Sequence, residues 1–254
     1  MQQSQDAIDL EKLIKWISPK DFRAQHSDII SRKQEGTGQW FLETAAFKSW
    51  LQRAGETLYC PGIPGAGKTV MAANAVDYLI RTGDHGVAVV YCSYKASAEE
   101  TAATLLGAIL RQLVDARPST GKYVEPLRTQ NDKPGTRPKL EEFAKTIQSV
   151  IEDYSNVYIV VDALDECPVA SRHQFLETLQ TLQKAVGLHL MVTSRPLPEL
   201  GSKFNGLTIE ICARNEDVTQ FIKGRTCQLP KCIQRNVELQ KSVHDTIAKE
   251  TGGM

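Results

Sequence analysis

The segment Gly62-Ile63-Pro64-Gly65-Ala66-Gly67-Lys68-Thr69 fits G-x-x-x-x-G-K-[ST] at every fixed position, and with its flanks it restricts the fold more than any other feature of the 254-residue chain. Upstream, residues 57–60 are apolar and β-prone enough for a buried strand. Downstream, Val70, Ala73, Val76, Tyr78, Leu79 and Ile80 recur near helical spacing. The spacing predicts strand, tight turn, helix. Glycines let the backbone wrap a polyphosphate with its N–H groups pointing inward, and the positive end of the following helix faces the same anion. Lys68 then reaches the β- and γ-phosphates, and Thr69 offers its hydroxyl to a magnesium ion, with Gly62, Pro64, Gly65, Ala66, Gly67 and Val70 completing the cradle. A turn that merely capped a helix would not need a lysine and a threonine in those two places.

Five apolar runs, 57–60, 87–93, 157–162, 188–193 and 207–211, read as strands with helical segments between them. Buried strands alternating with helices predict an α/β fold, a P-loop NTPase core with a five-stranded parallel sheet flanked by helices on both faces. Before it, the stripe Ile8, Leu10, Leu13, Ile14 and Ile17 reads as a linker helix that Ser18-Pro19 stops, and a second helix is expected near Thr44, carrying Phe47, Trp50 and Leu51. Residues 117–139 shift to proline, glycine, threonine and charge, which predicts an exposed loop of disorder-prone composition. After Ile211 the pattern turns helical at Val218, Phe221 and Ile222, breaks at Gln228-Leu229-Pro230, and resumes at Val237, Leu239, Val243, Ile247 and Ala248. The expected division is a linker helix and polar segment over 1–30, the NTPase core over 31–212 and a truncated helical subdomain over 213–254, the abrupt end reading as that of a fragment.

Thirty Lys and Arg balance thirty Asp and Glu, so no net field recruits nucleic acid or an anionic membrane, and nucleic acid is not an expected partner. The basic residues Arg128, Lys133, Arg137 and Lys139 lack interleaved aromatics and read as solvated. No apolar stretch is long enough to span a bilayer and the N-terminus is polar, so the chain reads as cytoplasmic. Six cysteines, at 60, 92, 167, 212, 227 and 232, are scattered, several in apolar runs where a thiol acts as a small hydrophobe. Cys227 and Cys232 lack further ligands at zinc-like spacing.

A phosphate loop alone names a superfamily; the discriminating residues lie further on. Val157-Tyr158-Ile159-Val160-Val161-Asp162 is an apolar strand ending in an acid, which places Asp162 at the carboxyl edge of the sheet, where it holds magnesium through water. Asp165 and Glu166 follow within a turn; one of them orients and deprotonates the attacking water, Glu166 first and Asp165 second, unless they simply cap the next helix. Thr193-Ser194-Arg195-Pro196 ends the fourth strand, so Arg195 can report on the γ-phosphate, or pair with a carboxylate such as Asp162 or Glu166, or do both in different states.

Four blocks in order, residues 36–42 (Gly-Thr-Gly-Gln-Trp-Phe-Leu), the loop from Cys60 to Thr69, Val161-Asp162-Ala163-Leu164-Asp165-Glu166-Cys167 and Thr193-Ser194-Arg195-Pro196, resemble the NACHT domains of fungal NOD-like proteins, of the heterokaryon-incompatibility type and those bearing ankyrin or WD repeats. The resemblance implies a STAND-class signalling NTPase with an ADP- or GDP-bound resting state, nucleotide exchange, and self-association that gathers effector domains. It implies phosphate and magnesium binding by Gly65, Gly67, Lys68 and Thr69, metal binding by Asp162, an extended acidic motif at Asp165 and Glu166, and a first sensor at Arg195. It also places Thr37, Gly38 and Trp40 beside the base. The chain ends before a winged-helix region, so the histidine that often meets the β-phosphate there is missing.

The leading reading is a nucleotide-operated switch, with magnesium and ATP/ADP or GTP/GDP as ligands and slow turnover. The alternatives are a multiple-turnover ATPase of remodeller type using the same Asp162, Glu166 and Arg195, a small-molecule phosphotransferase, for which residues 117–139 make a poor lid, and a pseudoenzyme that uses nucleotide only to hold its shape.

Overall fold

The computed structural model describes residues 2–96, 100–133, 135–204, 206–226 and 230–251. Strands β1 (Thr57–Pro61), β2 (Gly86–Tyr91), β3 (Val157–Asp162), β4 (His189–Ser194) and β5 (Leu207–Thr208) form one sheet in the order β2-β3-β4-β1-β5. Every pairing is parallel. The five expected runs all become strands. β5 pairs over a shorter span than the expected 207–211, yet its ladder continues: the Ile209 N–H donates to Tyr59 O at 3.0 Å and the Ile211 N–H to Pro61 O at 2.7 Å.

Helices α1 (Gln2–Ile17), α2 (Arg23–Arg32), α3 (Gln39–Glu43) and α4 (Ala45–Gln52) precede β1, and α5 (Lys68–Thr82) joins β1 to β2. Helices α6 (Ala102–Ala116), α7 (Val124–Gln130) and α8 (Leu140–Ile151) lie between β2 and β3, α9 (Val169–Val186) between β3 and β4, and the short α10 (Pro198–Gly201) before β5. The tail comprises α11 (Asn215–Arg225), α12 (Lys231–Gln234) and α13 (Val237–Thr251). Parallel crossovers are right-handed, so the β1-to-β2 connection puts α5 on one face, while the connections onward to β3 and β4, running the other way across the sheet, put α6, α8 and α9 on the opposite face. Helices α6, α8 and α9 accordingly pack on one another, and α2 packs on α5. Sandwiched between these layers, β3 and β4 bury every residue, the reason both read as nearly continuous apolar runs.

Helix α4 begins where expected: Thr44 is its N-cap, accepting from the Phe47 N–H at 3.2 Å, a contact worth about 1 kcal/mol. Phe47 and Trp50 are fully buried, and the Trp50 indole N–H donates to Leu190 O of β4 at 3.1 Å, which docks α4 on the sheet.

Two expectations need correction. The stripe read as a linker helix packs into the body: Leu13, Ile14 and Ile17 are buried, α1 lies on α6, and Arg111 of α6 donates to Ser18 O at 2.7 Å. The segment 117–139 is largely ordered, as a 3-10 turn over Pro118–Tyr123 followed by α7, because Val124 and Leu127 are buried against helices whose sequence lies elsewhere. In the tail, α11 and α13 pack together, while Phe221, Val237 and Leu239 are exposed. Cys227, Gln228 and Leu229 of the expected break, and the terminal residues 252–254, lie outside the described residues.

Candidate nucleotide-binding site

Because all five strands run the same way, their carboxyl ends share one edge, the side on which open α/β sheets bind ligands. The phosphate loop leaves β1 there, Tyr94 follows β2, the acids Asp165 and Glu166 follow β3, Arg195 follows β4, and Ile211 and Cys212 lie beyond β5. The loop's glycines serve two different needs. Gly65 and Gly67 have φ of 83° and 93°, in the left-handed region that favours glycine, and Gly67 caps α5. Gly62 serves close packing instead: a Cβ there would lie 2.5 Å from Ile211 O.

Lys68 opens α5 and arches back over the loop, its Nζ donating to Gly62 O at 2.7 Å and Ile63 O at 2.9 Å. Burial draws its pKa down, and the carboxylates of Asp165 and Asp162 pull the other way. An ammonium held by two carbonyls beside an inward-facing loop can exchange those carbonyls for phosphate oxygens with little rearrangement.

Asp162 stands at the centre of a hydroxyl chain. Its Oδ2 accepts from Thr69 Oγ1 at 2.7 Å, its Oδ1 from Thr193 Oγ1 at 2.6 Å, and Thr193 Oγ1 in turn accepts from the Ala163 N–H at 2.9 Å. The carboxyl is almost wholly buried, and burial pushes its pKa up. A buried carboxylate beside a threonine hydroxyl is the hard-oxygen donor set that magnesium takes, and a cation there relieves the cost of burying the charge. The residues therefore fit the ion expected from the sequence.

Directly after Asp162, Ala163 has φ 53°, the one left-handed non-glycine among the described residues, a conformation costing about 1–2 kcal/mol. The chain then makes a 3-10 turn over Leu164–Glu166 that folds both acids back toward the loop. Asp165 is taken by Arg195: Arg195 Nε lies 2.7 Å from Asp165 Oδ2, and the Arg195 N–H donates to Asp165 Oδ1 at 3.0 Å. The arginine thus pairs with a carboxylate as one reading held, but with Asp165 rather than Asp162 or Glu166. Tyr94 closes the arrangement, its hydroxyl accepting from Arg195 Nη2 at 2.8 Å and its backbone N–H donating to Glu166 Oε2 at 3.2 Å.

Two cavities meet at the phosphate loop. The more polar one, of about 590 Å³, is lined by Pro64, Lys68, Thr69, Asp165, Glu166 and Arg195, with Gly65, Gly67, Val70, Tyr94 and Ala163. A more apolar one of about 380 Å³ shares Gly65, Gly67 and Val70 and adds Ala66, Thr37, Met71, Cys212, Asp217, Val218 and Phe221. Thr37 lines the second cavity, whereas Gly38 and Trp40 brace it: the Gly38 N–H and the Trp40 indole N–H both donate to Asp217 Oδ2 at 3.0 Å, and the Arg214 guanidinium lies 3.9 Å over the Trp40 ring. Gly38 is favoured there by its φ of 74°.

Sequence reasoning missed Tyr94, Thr193 and Asp217. The strand order supplies the signal for the first two: Tyr91 pairs with Asp162, and β4 lies between β1 and β3, so the residues ending β2 and β4 must flank the acids. No comparable local signal marked Asp217.

Residues 36–195 match the family described as Nephrocystin 3, N-terminal. The chain belongs to that family. No curated protein sequence matches it. Among solved structures, this chain is similar to Cdc6p from Pyrobaculum aerophilum, at 13% identity over 76% of this chain and 50% of that one, with a TM-score of 0.51. It is also similar to a DNA replication initiation factor, at 15% identity over 84% of this chain and 63% of that one, TM-score 0.46. Drosophila ORC bound to DNA matches at 16% identity over 89% of this chain and 57% of that one, TM-score 0.46. The chain thus spans less than two thirds of each of these structures. The Cdc6p likeness agrees with the P-loop NTPase fold expected from the sequence. The expectation that nucleic acid is no partner draws no support from these likenesses. Among the described residues no helix is long and apolar enough to cross a membrane.

Proposed function

We propose that this chain is the nucleotide-binding module of a NACHT-type signalling switch, which binds ATP or GTP with magnesium, hydrolyses it slowly, and couples the nucleotide's state to self-association of a longer cytoplasmic protein. The observation that carries the reading is the 2.7 Å contact between Thr69 Oγ1 and Asp162 Oδ2, which joins the phosphate loop to the acidic strand end beside a buried carboxylate suited to magnesium. The polar cavity suits the polyphosphate, the apolar cavity across the loop suits a purine, and magnesium would neutralise phosphate charge next to Asp162 and Thr69.

Among the described residues Glu166 accepts a single backbone N–H while Asp165 is held by Arg195, so Glu166 is the carboxylate left to orient and deprotonate water. Arg195, held by Asp165 at the polar cavity, favours a switch over a steadily cycling motor: a γ-phosphate would compete with Asp165 for the guanidinium, and the ligand shifts the equilibrium by that difference in affinity. The thermal response to nucleotide tests the reading. The wild-type chain should melt higher with magnesium and ATP or GTP and Lys68→Ala should not, whereas an equal response in both would place the ligand elsewhere.

A further inference from the structure

Cys92, Cys167 and Glu100, far apart in sequence and outside the hydroxyl chain at Asp162, converge so that their ligating atoms all lie within 4.8 Å of one another. All three are buried, and both cysteines are free thiols. Cys92 directly follows β2 and Cys167 directly follows Glu166. Their backbones are already tied to the acidic turn: the Cys92 N–H donates to Asp162 O at 3.1 Å and the Cys167 N–H to Leu164 O at 3.2 Å.

The carboxylate of the cluster is committed. Glu100 Oε1 accepts from Lys20 Nζ at 2.7 Å, and Oε2 accepts from the Ser93 N–H at 3.3 Å. A cation here would sit against the Lys20 ammonium with two thiols as its remaining ligands, fewer than the four a structural zinc site uses. Two buried thiols whose sulfurs lie within 4.8 Å of each other, with no fuller donor set among the described residues, are instead arranged for disulfide chemistry.

We propose that Cys92 and Cys167 form a reversible disulfide, a thiol switch that staples the end of β2 to the acidic turn and so fixes Tyr94 against Glu166 and Arg195. Cys167 is the attacking sulfur: the Cys92 thiol beside it draws its pKa down, and it lies one residue before the N-cap of α9. With an oxidant of the hydroperoxide class, the Cys167 thiolate displaces hydroxide from hydrogen peroxide and becomes a sulfenic acid. The Cys92 sulfur then attacks the Cys167 sulfur, its proton leaves with the sulfenic hydroxyl as water, and the S–S bond forms. Burial restricts the reaction to small oxidants. The thiol chemistry stands without a nucleotide; its effect on nucleotide response rests on the proposed function.

The test is peptide mapping of the intact chain after brief hydrogen peroxide treatment, with remaining thiols alkylated. The expected result is a linked pair of peptides carrying Cys92 and Cys167, lighter by two hydrogens, restored by dithiothreitol, together with slower hydrogen exchange at the Tyr94 amide in the oxidised form. Cys92→Ser should leave Cys167 as a sulfenic acid that dimedone captures, and the wild-type mapping decides the matter if that variant does not fold. Separate over-oxidation of the two cysteines with no linked pair, or stoichiometric zinc on the reduced chain, overturns the proposal. A linked pair with equal rises in melting temperature on adding nucleotide to the oxidised and reduced forms overturns the coupling to the site, while no rise in either form counts against the nucleotide reading and leaves the disulfide standing.

Discussion

Arg195 and Asp165 are joined twice, through the guanidinium Nε at 2.7 Å and through the arginine's own backbone N–H at 3.0 Å, so one carboxylate positions both the side chain and the strand end that carries it. Asp165 is nearly inaccessible while the arginine is partly exposed, at 3% and 42% of their side-chain surface. The guanidinium is therefore the more accessible partner, and under the proposed function an incoming phosphate would compete with Asp165 for it.

Replacing Arg195 by Ala should narrow the discrimination between nucleoside tri- and diphosphate by about tenfold, the scale of one charge-assisted hydrogen bond. Competition binding with the two ligands reads it. An unchanged ratio would remove Arg195 from any sensing role.

Glu166→Gln should retain binding and slow single-turnover hydrolysis by about 100-fold or more, because the amide cannot take the water's proton. Equal rates in the variant and the wild type would move that role to Asp165 or abolish it.

The glycines of the phosphate loop should fail for different reasons. Gly62→Ala drives a methyl group into Ile211 O and should lower stability by about 1–3 kcal/mol through displaced packing. At Gly67 a Cβ meets nothing within 4 Å, so Gly67→Ala should cost about 1–2 kcal/mol through its left-handed backbone alone. Urea denaturation reads both losses, and Gly67→Asn, more tolerant of the left-handed region, should cost less than Gly67→Ala.

Stability should fall as pH drops from neutral through the ordinary histidine range. His189 is buried, its Nδ1–H donates to Trp50 O at 2.9 Å, and Nε2 has no partner among the described residues, so burial lowers its pKa from 6.5. The folded state resists a proton that the unfolded state accepts, so the stabilisation is whole above the unfolded pKa and drains away below it until the folded pKa is reached. His26 shifts in the same direction. His189→Asn keeps a donor for the carbonyl and should flatten the dependence of melting temperature on pH near 6; an identical slope would assign the effect elsewhere.

The strand, loop and helix around Lys68 were legible because each carries a local signal: β-prone residues, glycines at fixed spacing, a 3.6-residue stripe. Asp162 was legible for the same reason, as an acid that ends an apolar run. The partner of Arg195 was not, because it depends on the left-handed turn at Ala163, and alanine gives no sign of a positive φ. Tyr94 enters the site only through the order of the strands, and residues 118–130 are held by Val124 and Leu127 packing on distant helices, against a composition that favours disorder. Trp40, which the resemblance places beside the base, is held by Asp217, 177 positions away, a partner that no local pattern could supply.

The central claim is that Lys68, Thr69 and Asp162 bind a magnesium-bound purine nucleotide. Isothermal titration of the folded chain with ATP and with GTP, magnesium present, tests it most directly. The account predicts saturable heat at one site for at least one purine, lost in Lys68→Ala; no heat from either nucleotide at millimolar concentration would contradict it.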